Sequence, residues 1–254
     1  MQDRIAIPLP REAHVWTLDL DLAPQDTLES LASLLSADEQ FRASRLAFAV
    51  DRRRFIVCRA MLRRAIGGYL GVEPASLRFE LNPWNKPYLA GGENLRFNVS
   101  HSGGTALFVF TTGVEAGIDI EHINSRIGVF EVAAHCFSDD EQAALLTVPD
   151  AELQAAFFAC WSRKEAYIKA RGMGLSLDLR SFDVSINPQE ERWTLREHGT
   201  DVSADWTLLS FSAAPETASA LAVPAPAFSA RHFRWDWAQE AACLSAQESS
   251  TYRT

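Results

Sequence analysis

The sequence predicts an α+β (α/β) fold made by pseudo-twofold duplication: two similar lobes, each a small, mostly antiparallel sheet packed on a long helix. Three observations predict it. An offset of 102 residues lays Ser36-Ala37-Asp38-Glu39-Gln40 on Ser138-Asp139-Asp140-Glu141-Gln142. The same offset carries Phe55 onto Phe157, Cys58 onto Cys160 and Ile66 onto Ile168. It also lays Val15-Trp16-Thr17-Leu18-Asp19-Leu20 over Gly117-Ile118-Asp119-Ile120-Glu121-His122. A strand, a helix start and a long helix thus recur in one register. The expected lobes are residues 1–112 and 113–238, followed by a polar tail at 239–254, and ligand sites often lie between such halves.

Taken in order, residues 15–20 read as a strand. Ser36 and Ser138 each stand three residues before a Glu, the capping-box pattern in which Ser and Glu side chains satisfy free N–H groups at a helix start. Phe55, Cys58, Leu62, Ala65 and Ile66 recur at helical spacing and predict a helix over 51–69. Phe157, Cys160, Trp161, Tyr167 and Ile168 do the same for 151–171. Residues 77–81, 95–99, 105–110 and 116–121 read as strands, the last two joined at a Thr111-Thr112-Gly113 turn. Beyond Gly172-Met173-Gly174, strands are expected near 181–186, 192–196, 205–211, 218–223 and 231–236.

Composition narrows the function classes. With 254 residues, 47% hydrophobic and 22% charged, the chain is too apolar for disorder and can bury a sizeable core. Its 24 Lys and Arg against 33 Asp and Glu leave a net charge of -9, which argues against a broad grip on nucleic acid. Eight of the 24 cations fall between Arg42 and Arg64. That stretch suits a small phosphorylated ligand or an acidic partner, and equally a solvated charged face. Cys58, Cys136, Cys160 and Cys243 form no C-x-x-C pair and have no His at zinc-ligand spacing, so a reducing cytoplasm is expected. Asp3, Arg4, Arg11 and Glu12 interrupt the N-terminus, and no apolar run reaches the ~20 residues of a membrane span. The Asn98-Val99-Ser100 sequon is therefore expected to stay unmodified.

Along Gly117-Ile118-Asp119-Ile120-Glu121 the side chains alternate, so Asp119 and Glu121 share a face about 6.5–7 Å apart. On an exposed face the pair is ordinary. Turned toward another lobe, two anions need a cation, and Mg²⁺ is commonly held by carboxylates together with substrate phosphates. Glu165 shares the apolar face of Trp161 and Ile168, where a carboxylate needs a partner. That partner is either a surface pair with Lys169 or a place in the same acidic cluster. Lys164 and Lys169 flank Glu165 within reach of a phosphate or leaving group. Asn98-Val99-Ser100-His101-Ser102-Gly103-Gly104 ends a strand in a turn where N–H groups and a His can meet an anion, although such a His is often structural. P-loop, dinucleotide, esterase and zincin motifs are all absent from the sequence.

Asn98-Val99-Ser100-His101-Ser102, Gly117-Ile118-Asp119-Ile120-Glu121 and Trp161-Ser162-Arg163-Lys164-Glu165-Ala166-Tyr167-Ile168-Lys169 together resemble, in order and spacing, the three motifs of the 4'-phosphopantetheinyl transferases of the Sfp (surfactin-synthetase-activating) type. The resemblance covers roughly residues 36–185 well. It implies a chain of two similar halves with the site at their junction, as the duplication suggests independently. It implies transfer of the 4'-phosphopantetheine arm of coenzyme A, the co-substrate, to a serine of an acyl, peptidyl or aryl carrier protein, with release of adenosine 3',5'-bisphosphate. By resemblance, Asp119, Glu121 and Glu165 hold Mg²⁺ (or Mn²⁺) against the pyrophosphate. Glu165 also serves as base, directly or through water, and Lys169 steadies the leaving group. Arg54, Lys86, Pro87, Ser100 and His101 correspond to positions at the adenosine and 3'-phosphate end of coenzyme A, Asp119 and Lys169 lie at the pyrophosphate, and Lys164 faces the phosphates.

The chain departs from the family at Asn85-Lys86-Pro87, where many relatives have Gly before Lys-Pro. Asn tolerates left-handed backbone, so the turn is expected to survive. At the 102-residue offset, Thr17, Asp19 and Arg63 stand against Asp119, Glu121 and Glu165, so one metal site per chain is expected. The segment from His122 to Phe137, with Ile123, Ile127, Val129 and Phe130, is the expected carrier contact, or else packs the second lobe. The protein is expected to be a monomer that engages neither nucleic acid nor membrane. The carrier is not identified by sequence. Two rivals share the same residues: a metal-dependent phosphohydrolase, and a non-catalytic coenzyme A or carrier-binding protein.

Overall fold

The computed structural model describes residues 5–91 and 94–238, so the expected tail at 239–254 lies outside the described residues. The first half runs β1 (Glu12–Asp19), α1 (Leu28–Ser33), α2 (Ala37–Ser44), α3 (Ala49–Leu70), β2 (Phe79–Leu81), β3 (Pro87–Leu89), β4 (Leu95–Ser102) and β5 (Thr105–Thr112). The second runs β6 (Gly117–His122), α4 (Val129–Cys136), α5 (Asp139–Leu145), α6 (Asp150–Arg171), β7 (Phe182–Val184), β8 (Leu195–Glu197), β9 (Thr200–Asp201), β10 (Thr207–Phe211), β11 (Thr217–Val223) and β12 (Ser229–Arg234). The larger sheets have the orders β12-β1-β5-β4 and β10-β11-β6.

Both capping boxes form. At α5, the Glu141 amide donates to Ser138 Oγ at 3.2 Å while the Ser138 amide donates to Glu141 Oε2 at 2.9 Å. At α2, the Ser36 amide donates to Glu39 Oε2 at 3.0 Å. The long helices α3 and α6 each span 22 residues and end on a left-handed glycine, Gly71 and Gly172. Their bounds and caps are related by 101 residues rather than 102. The register therefore slips by one between capping box and long helix, and Lys164, not Glu165, is the counterpart of Arg63. The packing agrees. Arg63 Nε lies 2.7 Å from Glu39 Oε2 and Lys164 Nζ lies 2.8 Å from Glu141 Oε2, so each long helix is tied to its capping box by a buried ion pair.

One apolar core fills each lobe. The first gathers Leu18, Met61, Ile66 and Phe108; the second gathers Phe137, Phe157, Tyr167 and Leu195. A third joins the two sheets, with Val15, Leu107 and Val109 facing Ile118, Ile120 and Leu221. The seam between lobes is stitched by side chains. Asn98 Oδ1, Ser100 Oγ and Ser102 Oγ on β4 accept from the amides of Ile118, Ile120 and His122 on β6, at 2.9, 3.4 and 3.1 Å. The last strand departs from the expected two-lobe division. β12 lies within 113–238, yet it pairs in parallel with β1 of the first lobe's sheet.

Strand β6 rests directly on α6. A Cβ at Gly117 would lie 2.0 Å from the Ala166 carbonyl oxygen and 2.3 Å from the Ala170 amide nitrogen, both rigid backbone. Gly117→Ala should therefore destabilise the protein by about 3 kcal/mol, since backbone cannot yield as a side chain can. Urea unfolding of the two proteins measures this, and an unchanged midpoint would contradict it.

Candidate active site

The β6–α6 contact brings the motif residues together. Asp119 is buried at 2% exposure; its Oδ1 accepts from Lys169 Nζ at 2.6 Å and from Ser100 Oγ at 2.8 Å. Its Oδ2 is buried with no hydrogen-bond partner among the described residues. Glu121 Oε2 accepts from Ser102 Oγ at 3.0 Å, and the Trp161 side chain hydrogen-bonds the same carboxylate. Glu165 is half-buried on α6, within the electrostatic reach of both acids. Of the two partners open to Glu165, the surface pair with Lys169 is not the one formed: Lys169 is bound to Asp119, and Glu165 stands in the field of Asp119 and Glu121.

All three carboxyls are held above their ordinary pKa. Burial is the largest cause for Asp119, opposed by the Lys169 ammonium and the Ser100 hydroxyl. For Glu121 burial leads and the Asp119 charge adds to it. For Glu165 burial leads, Lys169 opposes, and Asp119 and Glu121 reinforce. Three acids thus share the field of one nearby ammonium, and a further positive charge would relieve their repulsion. Among the described residues, no group of three His, Cys, Asp or Glu side chains is arranged as a ready metal cage. The donor set nevertheless suits a hard cation: carboxylate oxygens only, one of them buried and unpartnered.

Beside this cluster lies a cavity of about 340 Å³ lined by Trp84, Lys86, Pro87, Val99, Glu165 and Lys169. Asn85 adopts φ 64°, so the left-handed turn survives the Gly-to-Asn departure. Sequence reasoning missed what holds that turn. Asn82 Oδ1 accepts from the amides of Trp84 and Lys86, both at 2.9 Å, while Asn82 Nδ2 donates to the Gly172 carbonyl at 2.7 Å. The Asn-Pro dipeptide at 82–83 was the available turn signal. Lys86 Nζ donates to Glu115 and to the Ala116 carbonyl. Arg54 forks onto Asp21, Nε to Oδ1 at 2.8 Å and Nη2 to Oδ2 at 2.6 Å, over Gly104, where a Cβ would strike Asp21 Oδ2 at 2.4 Å. His101 lies nearby with an exposed side chain; partial desolvation first, then the charges of Lys169, Arg42 and Arg54, push its imidazole toward the neutral form against the pull of Asp119.

Two expectations change. Lys164 does not face the cavity: fully buried, its ammonium pairs with Glu141 and donates to the carbonyls of Leu179 and Phe182 at 2.8 and 2.7 Å. Neighbours in sequence point about 100° apart around a helix, so Glu165 can face the junction while Lys164 enters the core. Ser100 is likewise buried, its hydroxyl turned onto Asp119. In the expected carrier segment Val129 is core, Ile123 and Ile127 pack partly against that core, and Phe130 is 48% exposed. A second cavity, of about 620 Å³, lies between α6 and β10 beside Arg163, whose guanidinium is taken up by Ser185, Asn187, Glu190 and Ser210. It holds none of the motif carboxylates. Among the described residues no helix is long and apolar enough to cross a membrane.

The two lobes meet at an acidic cluster beside a lysine, an arrangement able to offset charge on a phosphate anhydride or ester. Residues 115–224 match the family model of the 4'-phosphopantetheinyl transferase superfamily, and 23–112 match that of the 4'-phosphopantetheinyl transferase N-terminal region. The 4'-phosphopantetheinyl transferase HetI of Nostoc sp. is 38% identical over 185 residues, 72% of this chain and 77% of its own length. The 4'-phosphopantetheinyl transferase Sfp of Bacillus subtilis is 30% identical over 163 residues, 64% of this chain and 71% of its own. The mouse (Mus musculus) L-aminoadipate-semialdehyde dehydrogenase-phosphopantetheinyl transferase is 26% identical over 61% of this chain and 53% of its own. This chain belongs to the 4'-phosphopantetheinyl transferases, of the Sfp type, and transfers phosphopantetheine from coenzyme A to carrier proteins.

Two outcomes follow from the geometry. Lys164→Met removes the cation from the buried Glu141 carboxyl, which must then take up a proton or remain uncompensated, and should cost about 3 kcal/mol, while the protein that remains folded binds coenzyme A normally; calorimetry on both properties tests this. Because the three carboxyls bind protons more tightly when folded than unfolded, they favour folding at low pH and oppose it as pH rises through their raised values. Glu165→Gln should therefore raise the melting temperature of metal-free protein near neutral pH by about 2 °C or more, a gain that shrinks on acidification. A gain independent of pH would contradict it.

Proposed function

We propose that the transfer depends on a divalent cation, Mg²⁺ or Mn²⁺, held by Asp119, Glu121 and Glu165, and that coenzyme A lies along the lobe junction. The unpartnered, buried Asp119 Oδ2 beside two further carboxyls of raised pKa carries this reading. When bound, the cation would polarise the attacked phosphate and offset charge on the departing one. The chain's own groups do the rest. Glu165, its pKa raised by burial, takes the proton of the carrier serine hydroxyl, directly or through water. The serine oxygen forms a bond to the phosphorus that carries pantetheine as the anhydride bond breaks, and adenosine 3',5'-bisphosphate departs. Lys169, half-buried with its ammonium between Asp119 and Ser100, steadies the departing phosphate. Trp84, Lys86 and Pro87 line the adenine end, and Arg54 and His101 take the 3'-phosphate.

The carrier enters over the exposed Phe130, with Ile123 and Ile127 beneath it. We assign the protein to the cytoplasm as a monomer, a reading supported by free Cys58, Cys136 and Cys160 and by a duplication that supplies within one chain what a dimer would otherwise bring. Incubating a panel of apo carriers with coenzyme A and Mg²⁺, followed by intact-mass spectrometry, tests the whole. A gain of one phosphopantetheine, lost with EDTA and with Glu165→Ala, is expected; transfer that persists in EDTA would overturn the metal reading. Coenzyme A hydrolysis without any carrier gain would favour a phosphohydrolase. Phe130→Asp should raise the carrier KM about tenfold with coenzyme A binding unchanged.

A further inference from the structure

One hydroxyl at the lobe seam makes two bonds that the transfer reaction does not itself require. Ser102, the last residue of β4, accepts from the His122 amide at 3.1 Å and donates to Glu121 Oε2 at 3.0 Å. The two bonds act on neighbouring residues of β6. One fixes the strand end; the other fixes the carboxylate that the strand carries. A serine hydroxyl has one proton to give and lone pairs to accept with, so both bonds are satisfied at once and the donated proton is committed to Glu121.

The turn that follows holds Ser102 in this position. Gly103 adopts φ 56°, and a Cβ there would lie 2.8 Å from His122 Cδ2, so the β4–β5 turn sits directly against the end of β6. Ser102 also pairs with Thr105 across that hairpin. Glu121 needs such a hold more than Asp119 does. Asp119 is gripped by an ammonium and a hydroxyl, whereas Glu121 has a longer side chain, lies farther along the strand, and is held by two neutral donors, the Ser102 hydroxyl and the Trp161 side chain on the opposite element. Left loose, it would turn away from its anionic neighbours toward water. A donor on Oε2 opposes that rotation and leaves the carboxylate lone pairs to spare.

We propose that Ser102 is a positioning residue that holds Glu121 toward Asp119 and Glu165 and so completes the cation's ligand set. The proposal rests on the reading of those three carboxylates as ligands, and groups that hydrogen-bond a ligating carboxylate commonly set metal affinity.

Electron paramagnetic resonance titration of Mn²⁺ into the full-length protein with coenzyme A present measures cation affinity without turnover. Ser102→Ala should weaken Mn²⁺ binding about tenfold. Its affinity for coenzyme A without metal should stay at the wild-type value, and its melting temperature should fall only by the few degrees expected for one lost seam hydrogen bond. Ser102→Thr keeps the hydroxyl and should restore Mn²⁺ affinity. Wild-type Mn²⁺ affinity in Ser102→Ala would overturn the positioning role and leave the ligand set standing. No Mn²⁺ binding by the wild-type protein would overturn both. Equal weakening in Ser102→Thr, with a melting temperature lowered beyond those few degrees in each variant, would make Ser102 a packing residue and overturn the proposal.

Discussion

Strand β6 approaches α6 so closely that only hydrogen fits at residue 117, with the Ala166 carbonyl and Ala170 amide immediately above it. From that contact the rest of the site follows by periodicity. Moving two residues along the strand sets Asp119 under Lys169, and two more set Glu121 under Trp161. The helix runs the opposite way and delivers Lys169, Glu165 and Trp161 at four-residue intervals, one per turn. A wider gap would separate the acids from their lysine and admit water, and the raised pKa values that burial produces would relax.

Duplication explains why the scaffold around this contact repeats while the chemistry does not. Each lobe secures its long helix to a capping-box glutamate through a buried cation, Arg63 to Glu39 and Lys164 to Glu141. Buried ion pairs often add little net stability, but they penalise any arrangement that leaves one charge alone. Two such pairs hold α3 and α6 in register with their capping helices. At the position after each cation, α6 carries Glu165 where α3 carries Arg64, and at the site strand β6 carries Asp119 where β1 carries Thr17. The frame is common to both lobes, and the acidic cluster belongs to the second alone.

Much of this was legible in the sequence because it is local. Capping boxes, helical spacing and strand alternation put both long helices and most strands within a few residues of their observed bounds. Asp119, Glu121, Glu165 and Lys169 were legible for the same reason, since periods of two and 3.6 place them on facing surfaces. Lys164 was misplaced by adjacency: next to Glu165 in sequence, it points elsewhere around the helix. α1 is only six residues long and shows no periodicity to detect. α4 lies within the segment expected either to contact the carrier or to pack the second lobe, and its buried Val129 and Ala133 take the second course. Asp21 and Ser102 act through hydrogen bonds to Arg54 and to Glu121 and His122, partners distant in sequence that no local pattern announces, and Asn82 is announced only as a turn residue by its Asn-Pro dipeptide. The parallel pairing of β12 with β1 joins opposite ends of the chain and leaves no local trace.

That pairing bears on how the molecule is made. Ser229–Arg234 completes a sheet whose first strand, Glu12–Asp19, leaves the ribosome more than 200 residues earlier. Until then β1 has one bare edge, and Trp16 lacks Phe233 and Trp235, the rings it later packs against. Trp237 then closes the arrangement by donating to the Asp19 carbonyl at 2.7 Å. The amino-terminal half must therefore wait, partly formed and with an open strand edge, until more than 200 further residues have been made. Folding of the first lobe is finished from the carboxyl-terminal side, so a nascent chain halted before this strand is both incomplete and prone to pair with its neighbours.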